Sequence, residues 1–263
     1  MSTVVPHGVL AAHLLAPVTA TLRSMSGADD RPGLAPGLLV LDDTGWFPAT
    51  RLIDGSRLPD LLDSARRRWQ ASPHAAAALA WKSYSYWLAL PAVVGWASAR
   101  RVPLPRPADV LLRFEGQGRL LRLGLRRSVA VAVLSSDPLA SSGVSWLRVA
   151  GGEAELLAAL RESLLEAHLT PMLAAIQARV RVGARTLLGS LSSGIAHGIL
   201  RAADAVPGSA VEQIGTLLDA LGIADLIELV PGPAGEPTVH RRTCCLAFTL
   251  PQPKVCAGCC LAL

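Results

Sequence analysis

The sequence predicts an α+β protein: mainly helical, with a small antiparallel sheet and a C-terminal cysteine-rich segment. Three observations carry this. Long stretches repeat their apolar residues at three- and four-residue steps, the helical period. A proline-rich break near residue 103 is followed by short runs rich in Val and Leu, the strand pattern. All five cysteines fall between Cys244 and Cys260. At 263 residues and 51% hydrophobic, the chain is long enough to bury a large core without covalent staples. It divides at the cysteines, into a body over residues 1–238 and a terminal segment over 239–263.

The apolar stretch Val9–Ala20 reads as an amphipathic first helix that ends before Ser26. A secretory leader needs a basic run ahead of its apolar part, and no Lys or Arg precedes Arg23. Turn signals then surround the short apolar run Leu38–Leu41. Asp42-Asp43 reads as a turn cap, because no His or Glu follows at ligand spacing. Leu58, Leu62, Ala65 and Trp69 set out a helix, with Pro59 in its first turn, where a missing amide proton costs nothing. A second helix follows Pro73 and carries Trp81, Tyr84, Trp87 and Leu88 as a core-facing stripe; the sharper reading is an aromatic wall for a bulky ligand. Its apolar part, Tyr84–Ser98, is too short to span a bilayer.

Arg101–Pro107 holds three prolines and reads as a stiff linker that joins neither helix nor ladder. Asp109–Phe114, Arg119–Leu125 and Ser128–Leu134 follow as three strands of a meander. Arg113, Arg119, Arg122 and Arg126 line one side of it, as a solvated face or, alternatively, an electropositive wall. Helices resume over Glu153–His168, Leu173–Arg185, Leu187–Ala205 and Ala210–Leu221, with Pro171 restarting the chain between the first two. Ser190, Ser192, Ser193, Gly194, Ala196 and Gly198 let another element approach one of these helices closely. His168 and His197 stand alone among apolar residues, as packed rather than ligating side chains. Leu226–Val230 and a Pro/Gly turn lead into the cysteines, and Leu246–Leu250 reads as a strand.

Several function classes drop out. The net charge is +5, but the basic residues are spread along the chain and aromatics make up 4%, unlike a nucleic-acid platform. The nucleophile elbow, the Walker loop and the dinucleotide fingerprint are all missing.

What remains is the spacing Cys244-Cys245-x10-Cys256-x2-Cys259, with Cys260 as a neighbour. Five thiols leave one over from any disulfide pairing, and a chain of this size needs none. Four thiolates can hold either zinc or an iron–sulfur cluster. Structural zinc sites use two spaced knuckles, whereas adjacent cysteines in extended backbone point to opposite sides and reach two irons more readily than one zinc. The chemistry therefore leans toward a two-iron cluster and leaves zinc open. Pro251-Gln252-Pro253 turns the chain so that Cys256 and Cys259 return beside Cys244 and Cys245. Either metal requires a reducing interior, which points to the cytoplasm.

The run Arg241-Arg242-Thr243-Cys244-Cys245-Leu246, closed by Cys256-x-x-Cys259 near the C-terminus, resembles the FhuF family of ferric-siderophore reductases. His168-Leu169-Thr170-Pro171-Met172-Leu173 ahead of a long helix is similar to that family's helical core. The resemblance implies a 2Fe-2S cluster on Cys244, Cys245, Cys256 and Cys259. Cys260 stands where the family pattern has proline. The resemblance further implies an oxidoreductase for siderophore-bound Fe(III), acting on a ferric siderophore of the hydroxamate type first, with an electron donor such as a ferredoxin or flavin reductase. The readings from another class are a zinc-stapled binding protein and an iron–sulfur redox sensor. His240, Arg241 and Arg242 stand beside the first thiol pair, either solvating the segment or stabilising a reduced, anionic cluster.

Overall fold

The computed structural model describes residues 7–25, 32–115, 120–232, 235–256 and 258–261. The chain runs α1 (His7–Ser24), β1 (Leu34–Leu39), β2 (Phe47–Pro48), α2 (Thr50–Ile53), α3 (Leu58–Trp69), α4 (Pro73–Ala99), β3 (Arg101–Pro103), β4 (Val110–Phe114), β5 (Leu121–Leu125), β6 (Val131–Leu134) and β7 (Leu147–Ala150). It continues through α5 (Glu153–Leu160), a π-helical stretch (Arg161–Leu169), α6 (Thr170–Gln177), α7 (Ala184–Arg201), α8 (Ala210–Leu221), β8 (Ile227–Pro231) and β9 (Pro237–Arg241). Helices dominate and the strands are short, so the α+β class holds.

Helix α4 is the axis. Ser72 caps it by accepting from the Ala75 amide, and Pro73 occupies the first turn. Buried residues occur on every side of it, the mark of a helix enclosed by protein. Helices α1, α3 and α7 and strand β3 pack around it. Trp81 and Tyr84 are fully buried, so the stripe they begin faces the core. The Trp81 indole donates to the Leu187 carbonyl at 2.6 Å and fixes α7 against α4. The helix continues through Pro91. Among the described residues no helix is long and apolar enough to cross a membrane.

The strands make three sheets where one meander was expected. β1-β5-β4-β2 is mixed, with β1 parallel to β5 and the other pairs antiparallel. β6 leaves that set and joins β3-β6-β7, antiparallel to β3 and parallel to β7. The third is the β8-β9 hairpin. The turn after β5, held by Val129 N–H on the Arg126 carbonyl at 3.1 Å, sends β6 away from its predecessor. Arg101–Pro103 is thus a strand and not an unpaired linker. It lies at a sheet edge with proline at its end, where a missing amide is tolerated.

Two helical boundaries also differ from expectation. Pro171 does not restart the chain: residues 153–177 form one rod through the π-helical stretch, with Pro171 in the first turn of α6. The rod ends at Gln177, whose side-chain amide donates to the Val182 carbonyl at 2.8 Å and stops the helix expected to reach Arg185. Asp42 caps its turn as expected, accepting from the amide and hydroxyl of Thr44. Arg113 and Arg122 share Glu115, and Arg126 pairs with Asp43, so these arginines are neutralised by carboxylates and do not form a free electropositive wall; Arg122 is largely buried in place of lying on a solvated face. Arg119 lies outside the described residues.

Candidate metal centre and its adjoining pocket

The β8-β9 hairpin sets the position of the thiols. Val239 is buried in the main core and Arg241 pairs with Ile227, so the chain leaves β9 against α7. The Arg242 amide bonds the Leu226 carbonyl at 3.0 Å and continues the hairpin by one link. Leu246 then takes a left-handed conformation, φ 63°. Residues Ala247–Thr249 close a 3-10 turn with the Thr249 hydroxyl on the Leu246 carbonyl at 2.7 Å. The expected strand Leu246–Leu250 is therefore a turn. Cys245, Ala247 and Leu250 bury themselves against Ala75 and Leu79 of α4, so a helix covers the apolar run in place of a sheet partner.

The chain does return. The Arg241 amide donates to the Gly258 carbonyl at 2.9 Å, and the Cys259 amide to the Cys256 carbonyl at 2.9 Å. Gly258 is required at this crossing: a Cβ there would sit 1.8 Å from the Val239 carbonyl oxygen.

The five thiols are all free and divide into two surroundings. Cys244, Cys259 and Cys260 form one group. Burial, then the neighbouring Cys244 and Cys259 thiols, push the Cys260 pKa up. The Leu246 amide donates to Cys244 Sγ at 3.3 Å. Cys245 points elsewhere, into the apolar cluster on α4. Burial alone would raise its pKa, but the Ala247 amide, Lys82 and Arg241 outweigh burial and bring it below the usual thiol range. Cys256 is exposed at the edge of a pocket.

Adjacent cysteines thus face different ways, as their spacing suggested. Cys259 comes back beside Cys244, while Cys245 and Cys256 stay outside that group. Among the described residues no three Cys, His, Asp or Glu side chains converge closely enough to hold a metal ion. Cys244, Cys259 and Cys260 interact without sharing one ligand point. By donor type, Cys244, Cys245, Cys256 and Cys259 are the residues that could hold a four-thiolate centre, and all are unpaired, although their positions do not bring the four together.

The pocket beside Cys256 has a volume of about 560 Å³. Its walls are two helix stripes and the end of the hairpin. Leu79, Lys82, Ser83 and Tyr86 of α4 lie at three- and four-residue steps and share one face. Ser190, Ser193, Gly194, His197 and Arg201 of α7 do the same opposite them. The small-residue segment provides the close approach expected of it: a Cβ on Gly194 would lie 3.3 Å from the Tyr86 ring. Trp69 contributes a further ring, and β9 contributes Val239 and Arg241.

Arg241 is the unusual group. It is 4% exposed, and its one side-chain hydrogen bond among the described residues runs from Nη2 to Ser190 Oγ at 2.8 Å. Its Nε and Nη1 have no partner. This excludes the simple solvating role for Arg241, whereas Arg242 is half exposed and pairs with Glu228 at 3.3 Å. His197 is exposed at the pocket mouth yet crowded by surrounding atoms; that crowding, then Lys82, Arg241 and Arg201, lowers its pKa. The pocket-lining roles of Trp69, Lys82, Tyr86 and Arg201 were not foreseen from the sequence. Their only signal was the matching helical spacing of the two stripes.

His168 is the packed residue it was expected to be. It is fully buried in the π-helical stretch between the Tyr84 hydroxyl and the Pro105 carbonyl. The carbonyl can only accept, so Nδ1 carries the proton and Nε2 accepts from Tyr84. Burial lowers its pKa from 6.5 to about 4.

No protein-family model matches this chain, and no curated protein matches it.

Proposed function

We propose that this chain is a cytoplasmic ferric-siderophore reductase whose 2Fe-2S cluster is held by Cys244, Cys245, Cys256 and Cys259. One observation carries the reading: Cys256 belongs to the thiol segment and also edges a pocket large enough to seat part of an organic chelate. When bound, such a cluster supplies a carrier for single electrons at that edge.

The chain's own residues supply the seat and its closure. Trp69, Leu79 and Tyr86 offer apolar and aromatic surface to the organic part of the ligand. The Arg241 amide on Gly258 holds the returning chain against β9, and Ser190 orients the Arg241 guanidinium. The Leu246 amide holds Cys244 Sγ in place by its hydrogen bond. In overall balance, a ferredoxin or flavin reductase is oxidised by one electron and the chelated Fe(III) becomes Fe(II). No covalent bond between non-metal atoms is made or broken. The ferrous ion carries less charge and binds hard hydroxamate or catecholate oxygens less tightly, so it leaves and the chelator is freed.

The test begins with anaerobically purified protein. Iron and acid-labile sulfide in equal amounts, visible absorption and a paramagnetic signal after dithionite support the cluster. Colourless protein with stoichiometric zinc overturns it in favour of a zinc-stapled binding protein. Mixing the reduced protein with ferric siderophores while trapping Fe(II) then tests the activity. Reoxidation no faster than in buffer makes the chain a redox sensor and sinks the reductase.

A further inference from the structure

We propose that the pocket between α4, α7 and β9 binds a net-anionic ligand, so that the ferric chelate accepted there is an anionic complex of the catecholate kind. The pocket assignment stands by itself; the identity of its ligand as a ferric chelate rests on the reductase reading above.

The first argument is charge. Lys82, Arg201 and Arg241 line the pocket, and no Asp or Glu is among its lining residues. Several arginines elsewhere are paired with carboxylates: Arg57 with Asp60, Arg101 with Asp137, Arg148 with Glu162, Arg185 with Asp225. Lys82 and Arg201 have no such partner among the described residues. These three cations converge on one cavity with no carboxylate among its described lining residues.

The second argument is burial. Arg241 is 4% exposed, and two of its guanidinium nitrogens have no hydrogen-bond partner among the described residues; buried donors left unsatisfied are strongly unfavourable. The Tyr86 hydroxyl, on the α4 wall, is also buried without a hydrogen-bond partner among the described residues. An anion with acceptor oxygens seated here satisfies both groups and neutralises the field. That field is evident at His197, which the same three cations help hold below its ordinary pKa.

The third argument is shape chemistry. Trp69 and Tyr86 give the pocket ring surface, suited to a planar aromatic ligand. Each catecholate brings two negative charges to a ferric ion and each hydroxamate brings one. A tris-catecholate complex is therefore strongly anionic, whereas a tris-hydroxamate core is neutral. The pocket distinguishes them by charge.

Gallium(III) complexes test this, because gallium takes the same oxygen ligands but accepts no electron under these conditions. The full-length protein is titrated by calorimetry with gallium tris(2,3-dihydroxybenzoate) and with gallium tris(acetohydroxamate). The expected result is at least tenfold tighter binding of the catecholate complex, weakening as salt is raised. Lys82→Gln and Arg201→Gln should each weaken it several-fold and leave hydroxamate binding unchanged. Arg241→Gln should weaken it most; should that buried variant fail to fold, the two accessible variants carry the test. Equal or tighter binding of the hydroxamate complex overturns the proposal, as does catecholate binding indifferent to both substitutions. That last outcome would leave Arg241 as a counter-charge to the thiolates alone. Failure of the two readings is separable. Iron-free protein that prefers the catecholate complex keeps the pocket and loses the reductase. An active reductase that prefers the hydroxamate complex does the reverse.

Discussion

His168→Gln should remove much of the acid sensitivity of folding. In the unfolded chain this histidine takes up its proton as pH falls through 6.5; in the folded chain burial delays that to about 4. Between those values the unfolded state binds more protons, so stability falls as pH drops and is fully present above 6.5. Integrated from pH 7 to pH 5, a shift from 6.5 to about 4 removes about 2 kcal/mol. The burial of His168 is complete, so solvent screening does not reduce this figure much. The substitution has its own cost at pH 7, about 1–3 kcal/mol, because the Tyr84 hydroxyl and Pro105 carbonyl lose a partner matched to both. Urea unfolding of both proteins at pH 7 and pH 5 separates the two effects: the offset at pH 7 reports the lost contacts, and the difference in slope reports the titration. If wild type and variant lose equal stability over that interval, His168 does not carry the acid sensitivity.

Gly258→Ala places a Cβ 1.8 Å from the Val239 carbonyl oxygen, so the crossing must open at a cost of about 1–3 kcal/mol; faster hydrogen exchange at the Arg241 amide would report it. Asp137→Asn breaks a two-point ion pair to Arg101, at 2.7 and 3.2 Å with the aspartate 9% exposed, and should cost roughly 3 kcal/mol in a thermal melt. Cys259→Ser should abolish iron and acid-labile sulfide in purified protein while Cys260→Ser retains them; the reverse outcome moves the fourth ligand by one residue.

Local physics made much of this fold legible. The helices at Leu58–Trp69 and Ala210–Leu221 appear with the expected bounds, because each has a clear periodic face and terminal Pro, Ser or Gly signals. The core stripe on α4 was legible for the same reason. Strand pairing was not. Nothing in Val131–Leu134 states that its partners are Arg101–Pro103 and Leu147–Ala150 instead of the preceding strand, since short apolar runs fit any neighbour of matching pleat. Leu246–Leu250 failed similarly: its composition suits a strand, but α4 offers a hydrophobic patch that a tight turn covers better.

The thiol segment was legible as a unit because five cysteines within so short a span stand out against a chain with none before Cys244. The chemistry proposed for it rests on donor type, which is a property of residues and needs no coordinates. Arg241 could be named from its place beside the thiols, but not as a buried, half-satisfied charge. Burial is a relation between β9 and α7, segments separated by α8 and β8, and exists only once the hairpin has docked. The same holds for the pocket. Lys82, Tyr86 and Arg201 are ordinary members of two helix faces until α4 and α7 meet. The sequence alone determined the helical framework and the donor set, which depend on short-range periodicity and residue chemistry. Only tertiary packing decided which cations were left without carboxylates, because ion pairing depends on distances between elements remote along the chain.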